Sequence, residues 1–115
     1  MTIRIFHNPR CSKSRATLAL LQERGIEPEI TLYLESPPDA DELRSILQKL
    51  GLTARELMRK GEAEYREQGL ADESLTEDKL IAAMVASPRL IERPIVLANG
   101  RAAIGRPLES VIEIL

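Results

Sequence analysis

A chain of 115 residues is close to the usual domain size of about 100–150, so residues 1–115 are expected to form a single domain that carries all of the chemistry. Apolar residues at 43% and charged residues at 30% argue against disorder, while 3% aromatic content leaves the core to Leu, Ile, Val and Ala. Sixteen Lys and Arg against eighteen Asp and Glu give a net charge of −2, so no overall basic field draws the molecule onto nucleic acid or anionic lipid, and any anion site must be local.

Ile3, Ile5 and His7 alternate with Thr2, Arg4 and Phe6, a period of two that predicts a strand stopping at Asn8-Pro9. From Ser12, a run containing Ala16, Leu18, Ala19 and Leu21 predicts a helix ending near Gly25. Glu29-Ile-Thr-Leu-Tyr-Leu34 alternates again, and Pro37-Pro38 forbids its continuation. A helix crossing between two strands makes them parallel neighbours in a right-handed βαβ unit.

The middle of the chain is helical. Asp39 or Asp41 can cap a helix bearing Leu43, Ile46, Leu47 and Leu50 that stops at Gly51. Thr53-Ala-Arg-Glu56 and Ser74-Leu-Thr-Glu77 both have capping-box spacing, and Leu80, Ile81, Met84 and Val85 supply a buried stripe before Ser87-Pro88. Asn99-Gly100 between Pro94–Ala98 and Arg101–Ile104 predicts a tight hairpin, and Pro107 opens a last helix carrying Leu108, Val111, Ile112 and Leu115. The order β-α-β, helices, β-β-α predicts an α/β fold with a mixed four-stranded sheet and a helical insertion at about 39–88.

The first six residues lack the basic and apolar stretches of a secretory signal, so the cytoplasm is the expected location and no membrane partner is expected. One cysteine and one histidine exclude an internal disulfide and leave too few soft ligands for a standard zinc site, so no metal or bound cofactor is expected.

Cys11 falls where the first strand's loop meets the first helix, a position whose open N–H groups and helix dipole favour a thiolate. Arg10, Lys13 and Arg15 crowd the same loop, and their charge lowers a thiol pKa and attracts anions. The competing reading is a buried, inert thiol. A redox Cys-x-x-Cys needs a second cysteine where Ser14 stands, a Cys-x5-Arg phosphatase loop needs arginine where Thr17 stands, and a Cys-His hydrolase has only His7 to offer as base.

His7-Asn-Pro-Arg-Cys-Ser-Lys-Ser-Arg15, Leu32-Tyr-Leu-Glu-Ser-Pro-Pro38, Glu56-Leu-Met-Arg-Lys60, Glu92-Arg-Pro-Ile-Val96 and Ile104-Gly-Arg-Pro107 resemble the glutaredoxin-dependent arsenate reductase family over almost the whole chain. The resemblance implies a thioredoxin-like fold, Cys11 as nucleophile, and Arg59, Arg93 and Arg106 as the arginines that bind an oxyanion. It further implies a covalent arsenic adduct on Cys11, with glutathione as external reductant and glutaredoxin as partner, releasing arsenite. His7, Ser14 and Arg15 match the segment that stabilises the thiolate, although Ser14 also suits a plain helix-start hydroxyl and His7 a strand end. By the same resemblance Arg93-Pro94 falls where such folds carry a cis proline, against a base rate of about 5%.

The chain ends at Leu115, soon after Arg106, as in a shorter branch of the family, which keeps other oxyanions and glutathione mixed disulfides open as substrates. The related Spx-type proteins offer a different class, a module that binds RNA polymerase. Their two-cysteine switch is missing, because Ser14 stands in place of the second thiol.

Overall fold

The computed structural model describes residues 3–115, so Thr2 of the first predicted strand, and Met1 of the segment compared with a secretory signal, lie outside the described residues. Two compact units are present: one made of the chain up to Ser36 together with Arg93–Leu115, the other of Pro37–Glu92.

In the first unit, β1 (Arg4–Phe6), β2 (Glu29–Thr31), β3 (Ile95–Ala98) and β4 (Arg101–Ile104) form one sheet in the order β2-β1-β3-β4. β1 pairs with β2 in parallel and with β3 antiparallel, and β3 pairs with β4 antiparallel, so the sheet is mixed as expected. The crossover between β1 and β2 is α1 (Ser12–Glu23). Ala98 faces Arg101 across a two-residue turn in which Asn99 (φ 55°) and Gly100 (φ 73°) both take positive φ, the geometry that Asn-Gly favours. Ile5, Leu21, Val96, Ala98, Ala103, Val111 and Ile114 close the core of this unit.

The first strand forms as expected at Arg4–Phe6, and with Ile5 and Phe6 both buried it is covered on both faces. Several expectations need correction here. The second strand stops at Thr31, because Glu35 N–H and Ser36 N–H both donate to Leu32 O and turn the chain. The buried stripe of α1 is Ser14, Thr17 and Leu21; Ala16 and Ala19 face outward. The last helix, α6, is a single turn at Glu109–Ile112. Around it Ser110, Val111, Ile114 and Leu115 donate to the carbonyl three residues back, the tight pattern that keeps such segments short.

The second unit is helical: α2 (Ala40–Leu50), α3 (Ala54–Leu57), α4 (Ala63–Glu67), α5 (Glu77–Ala86) and a 3₁₀ turn, Pro88–Leu90. Asp39 caps α2 by accepting from Glu42 N–H at 2.8 Å, and Gly51 closes it in the left-handed conformation. α2, α3 and the 3₁₀ turn pack on α5, whose inner face is Leu80, Ile81 and Met84. Among the described residues no helix is long and apolar enough to cross a membrane.

Of the two capping boxes, only Thr53–Glu56 forms: the Thr53 hydroxyl accepts from Glu56 N–H and the Glu56 carboxylate accepts from Thr53 N–H. Ser74 instead bonds Asp72, α5 is capped by Thr76, and the Glu77 carboxylate accepts from Ala54 N–H at 2.9 Å, tying the start of α3 to α5. Thr53→Ala is therefore expected to cost about 1 kcal/mol of stability, whereas Ser74→Ala stays within about 0.5 kcal/mol; urea unfolding midpoints of the two variants check the contrast.

Candidate active site

Cys11 stands at the N-cap of α1 with extended backbone (φ −97°, ψ 124°), and it gets there by a tight turn. Cys11 N–H donates to Asn8 O at 3.0 Å, Arg10 N–H donates to Asn8 Oδ1 at 3.0 Å, and Pro9 occupies the second position, where its fixed φ suits a turn. β1 delivers the chain to this turn, with His7 N–H donating to Thr31 O of the neighbouring strand. The nucleophile candidate thus sits between a strand end and a helix start.

The thiol is only 8% exposed. Burial is the strongest single influence on it and pushes its pKa up. Against burial act the amide of Ser14, the charge of Arg93, the amide of Lys13 and the Arg93 guanidinium as donor, and together they hold the pKa below the ordinary thiol value. The open amides of the first helical turn carry the positive end of the helix dipole, so a negative sulfur is favoured there.

Arg106 comes from the far end of the chain. Its Nη2 donates to Cys11 Sγ at 3.6 Å and its Nε–H donates to Arg93 O at 2.8 Å, so the backbone of one arginine orients the side chain of the other. Arg93 Nε and Nη1 are buried. The Arg93-Pro94 and Arg106-Pro107 bonds are both cis, the first as the resemblance implied. Two guanidinium groups beside one sulfur can meet an oxyanion with directional, charge-assisted donors, which a lysine's point charge does less well.

His7, only 6% exposed, sits behind the turn with its Nδ1 2.6 Å from Ser14 Oγ; that oxygen also accepts from Asn8 N–H at 2.9 Å. With the oxygen already accepting, the serine proton is available to Nδ1, which fits a neutral ring. Burial, and then the charge of Arg15, lower the His7 pKa. Arg15 itself donates from Nη1 to Pro9 O at 2.9 Å. The Ser14 amide lowers the Cys11 pKa, while the Ser14 hydroxyl joins helix, turn and histidine.

Of the predicted site residues, Cys11, Arg93, Arg106, His7, Ser14 and Arg15 all belong to the first unit. Arg59 belongs to the second, where its guanidinium pairs with the Glu62 and Glu92 carboxylates and its N–H donates to Leu90 O.

Gly105 lies inside the Ile104-Gly-Arg-Pro107 motif, but its own part was not singled out from the sequence. It is buried, its N–H donates to Pro94 O, and a side chain there would collide with Thr17 Oγ1 and lie 2.8 Å from Pro94 Cγ. Thr17 is fully buried one turn and a half along α1 from Cys11, so the missing side chain lets α1, Pro94 and the start of the Arg106 segment close on one another. An uninterrupted Gly-Arg-Pro beside the hairpin was the available signal.

A thioredoxin-like α/β fold with a cysteine at a helix start and two arginines against it defines a class of thiol-based proteins. The profile of the ArsC family matches residues 6–114. Over 114 residues the chain is 61% identical to the uncharacterized protein YfgD of Escherichia coli strain K12, covering 98% of this chain and 96% of that one. It is 56% identical to an arsenate reductase of Neisseria meningitidis, with 98% and 97% covered. The solved structure of an arsenate reductase from Vibrio cholerae superposes with a TM-score of 0.97 at 52% identity, covering 100% of this chain and 98% of that one. The chain belongs to the ArsC family.

Two outcomes follow from this geometry. Gly105→Ala is expected to cost about 1–3 kcal/mol and to slow alkylation of Cys11 by iodoacetamide, and adding Thr17→Ala recovers part of both losses; calorimetry and labelling rates measure them. The folded state prefers neutral His7, so its contribution to stability is complete above the unfolded value of about 6.5 and is lost as pH falls through the lower folded value. Urea midpoints of wild type are expected to drop on acidification below about pH 6.5, more steeply than those of His7→Gln.

Proposed function

We propose that the protein is an arsenate reductase in which Cys11 is the nucleophile. The observation that carries this reading is the buried sulfur of Cys11 with Arg106 Nη2 at 3.6 Å and the Arg93 guanidinium favouring its anion, in a chain 56% identical to an arsenate reductase. In the first step the Cys11 sulfur bonds to arsenic and one arsenic–oxygen bond breaks, the oxygen leaving as water after protonation. Arg93 and Arg106 meet the charge of the oxyanion, worth most in a site that excludes water. The family resemblance adds Arg59 to this task, a role that rests on its place in the Glu56–Lys60 motif.

The chain holds one thiol, so it cannot close a disulfide within itself and an outside thiol must finish the reaction. A small thiolate attacks the Cys11 sulfur. A sulfur–sulfur bond forms, the sulfur–arsenic bond breaks, and its electron pair stays on arsenic, which passes from As(V) to As(III) and leaves as arsenite. A second thiol then exchanges with the mixed disulfide and frees Cys11. In sum, one arsenate and two thiols give arsenite, a disulfide and water. Glutathione for the first thiol and glutaredoxin for the exchange are the reductants that the family resemblance implies, in a cytoplasmic setting.

The test is NADPH consumption by the full chain with arsenate, glutathione, glutaredoxin and glutathione reductase. Cys11→Ser is expected to abolish it, and Arg93→Ala or Arg106→Ala to lower kcat/KM for arsenate by about 10²-fold or more. Arsenate-independent turnover, or turnover that survives Cys11→Ser, contradicts the reading.

A further inference from the structure

β2 is an edge strand: in the order β2-β1-β3-β4, no strand among the described residues pairs with its outer side. The large apolar side chains left in solvent collect here, with Ile30 46%, Leu32 37% and Leu34 40% exposed. Bare edges attract other strands, and proteins blunt them with proline and charge; Pro28 and Glu29 are such devices. The bonds to β1 fix where the edge's backbone groups point. Glu29 N–H donates to Ile3 O at 2.8 Å, so the Pro28 carbonyl, opposite that N–H in a planar trans peptide, points to the free edge. Thr31 O accepts from His7 N–H at 2.8 Å, so by the same rule Leu32 N–H points to the free edge. Between them, Glu29 and Thr31 are in register with Arg4 and Phe6, which turns both the N–H and the carbonyl of Ile30 outward. Leu32 O already takes the amides of Glu35 and Ser36, both at 2.9 Å.

We propose that β2 is a self-association surface, on which a second copy of this chain pairs antiparallel about Ile30 and joins the two sheets across a two-fold axis. In that register Ile30 exchanges two backbone bonds with the partner's Ile30, and each Leu32 N–H donates to the partner's Pro28 carbonyl. The donor that proline lacks would face the partner's Leu32 carbonyl, whose two lone pairs the turn has already filled. A foreign strand would bring an unfilled carbonyl to that place and lose a bond, so the proline that deters other strands admits this one. Side chains agree with the backbone. On one face Ile30 meets the partner's Ile30, and Leu32 covers the partner's Pro28. On the other face Glu29, its side chain 61% exposed, opposes the partner's Thr31. Within one copy the Thr31 hydroxyl accepts from Arg4 Nε at 2.9 Å, so each Glu29 carboxylate comes beside the partner's Arg4 guanidinium and the seam gains two opposite-charge pairs. With strands of three residues the seam is at the small end of protein interfaces, which sets a weak dimer with Kd on the order of 0.1 mM. The inference goes beyond the reading of Cys11 and does not depend on it.

Sedimentation equilibrium of the full chain up to about 1 mM is expected to show monomer and dimer in exchange, with the amide resonances of residues 29–32 moving as concentration rises. Glu29→Arg is expected to weaken the dimer about tenfold by setting like charges across the seam, and Arg4→Glu to do the same. Mixing the two folded variants makes both pairs opposite in sign again and is expected to restore association. Ile30→Cys in a Cys11→Ser background places the two new thiols on the symmetry axis, where paired Cα atoms lie about 5.5 Å apart. With diamide as oxidant, that protein is expected to form a covalent dimer at least about tenfold faster than Lys49→Cys in the same background, since Lys49 lies outside the seam. This comparison leaves Arg4 untouched, so the register is tested even where Arg4→Glu does not fold. A chain that stays monomeric to about 1 mM, which would leave the edge to a different protein, overturns the proposal. So do concentration-dependent resonances confined to other residues, folded charge variants whose mixture associates no better than either alone, or equal cross-linking at Ile30 and Lys49.

Discussion

The fold is arranged around one electrostatic opposition: burial pushes the Cys11 thiol toward its neutral form, and the start of α1 with the Arg93 guanidinium pulls it toward the anion. A sulfur that lost the second set of contacts would be an ordinary buried thiol, inert and slow to ionise. The groups around the sulfur come from different parts of the sequence. The amides of Lys13 and Ser14 are local to the cysteine, whereas Arg93 and Arg106 arrive after an intervening helical unit. The antiparallel pairing of β3 with β1 brings Arg93 alongside the strand that feeds the cysteine.

Small packing details hold this arrangement in place. Arg106 is aimed by the carbonyl of Arg93, so the two cations share one backbone frame. Gly105 keeps that frame against Thr17 of the nucleophile helix, where a methyl group would intrude. His7, buried and bonded to Ser14 beneath the turn, has its pKa lowered by burial and by Arg15, which favours the neutral ring.

Much of this was legible in the sequence, and the reasons are local. Asn99-Gly100, Gly51, Asp39 and Thr53-Ala-Arg-Glu56 are residues whose conformational preferences suffice to fix a turn or a helix end, and each does what its chemistry predicts. What failed depended on partners distant in sequence. Ser74-Leu-Thr-Glu77 has box spacing, but Glu77 is drawn to Ala54, so α5 starts later. Leu32 and Leu34 fit a strand pattern, but the carbonyl of Leu32 closes a turn and leaves both side chains in solvent. For the site, Cys11 could be singled out from its position alone. The arginines could be singled out only through family motifs, because sixteen cations in one chain give no spacing rule that selects three.

The central claim is that cationic and amide donors outweigh burial at Cys11 and hold its pKa below the ordinary thiol value. Thiolate absorbance in the ultraviolet, followed against pH in wild type and in Arg93→Gln, reads it directly, since the chain has no other thiol to confuse the signal. The account predicts a wild-type inflection below the unperturbed value of about 8.5 and an upward shift in Arg93→Gln. A wild-type inflection at or above that value, unmoved by the substitution, would contradict it.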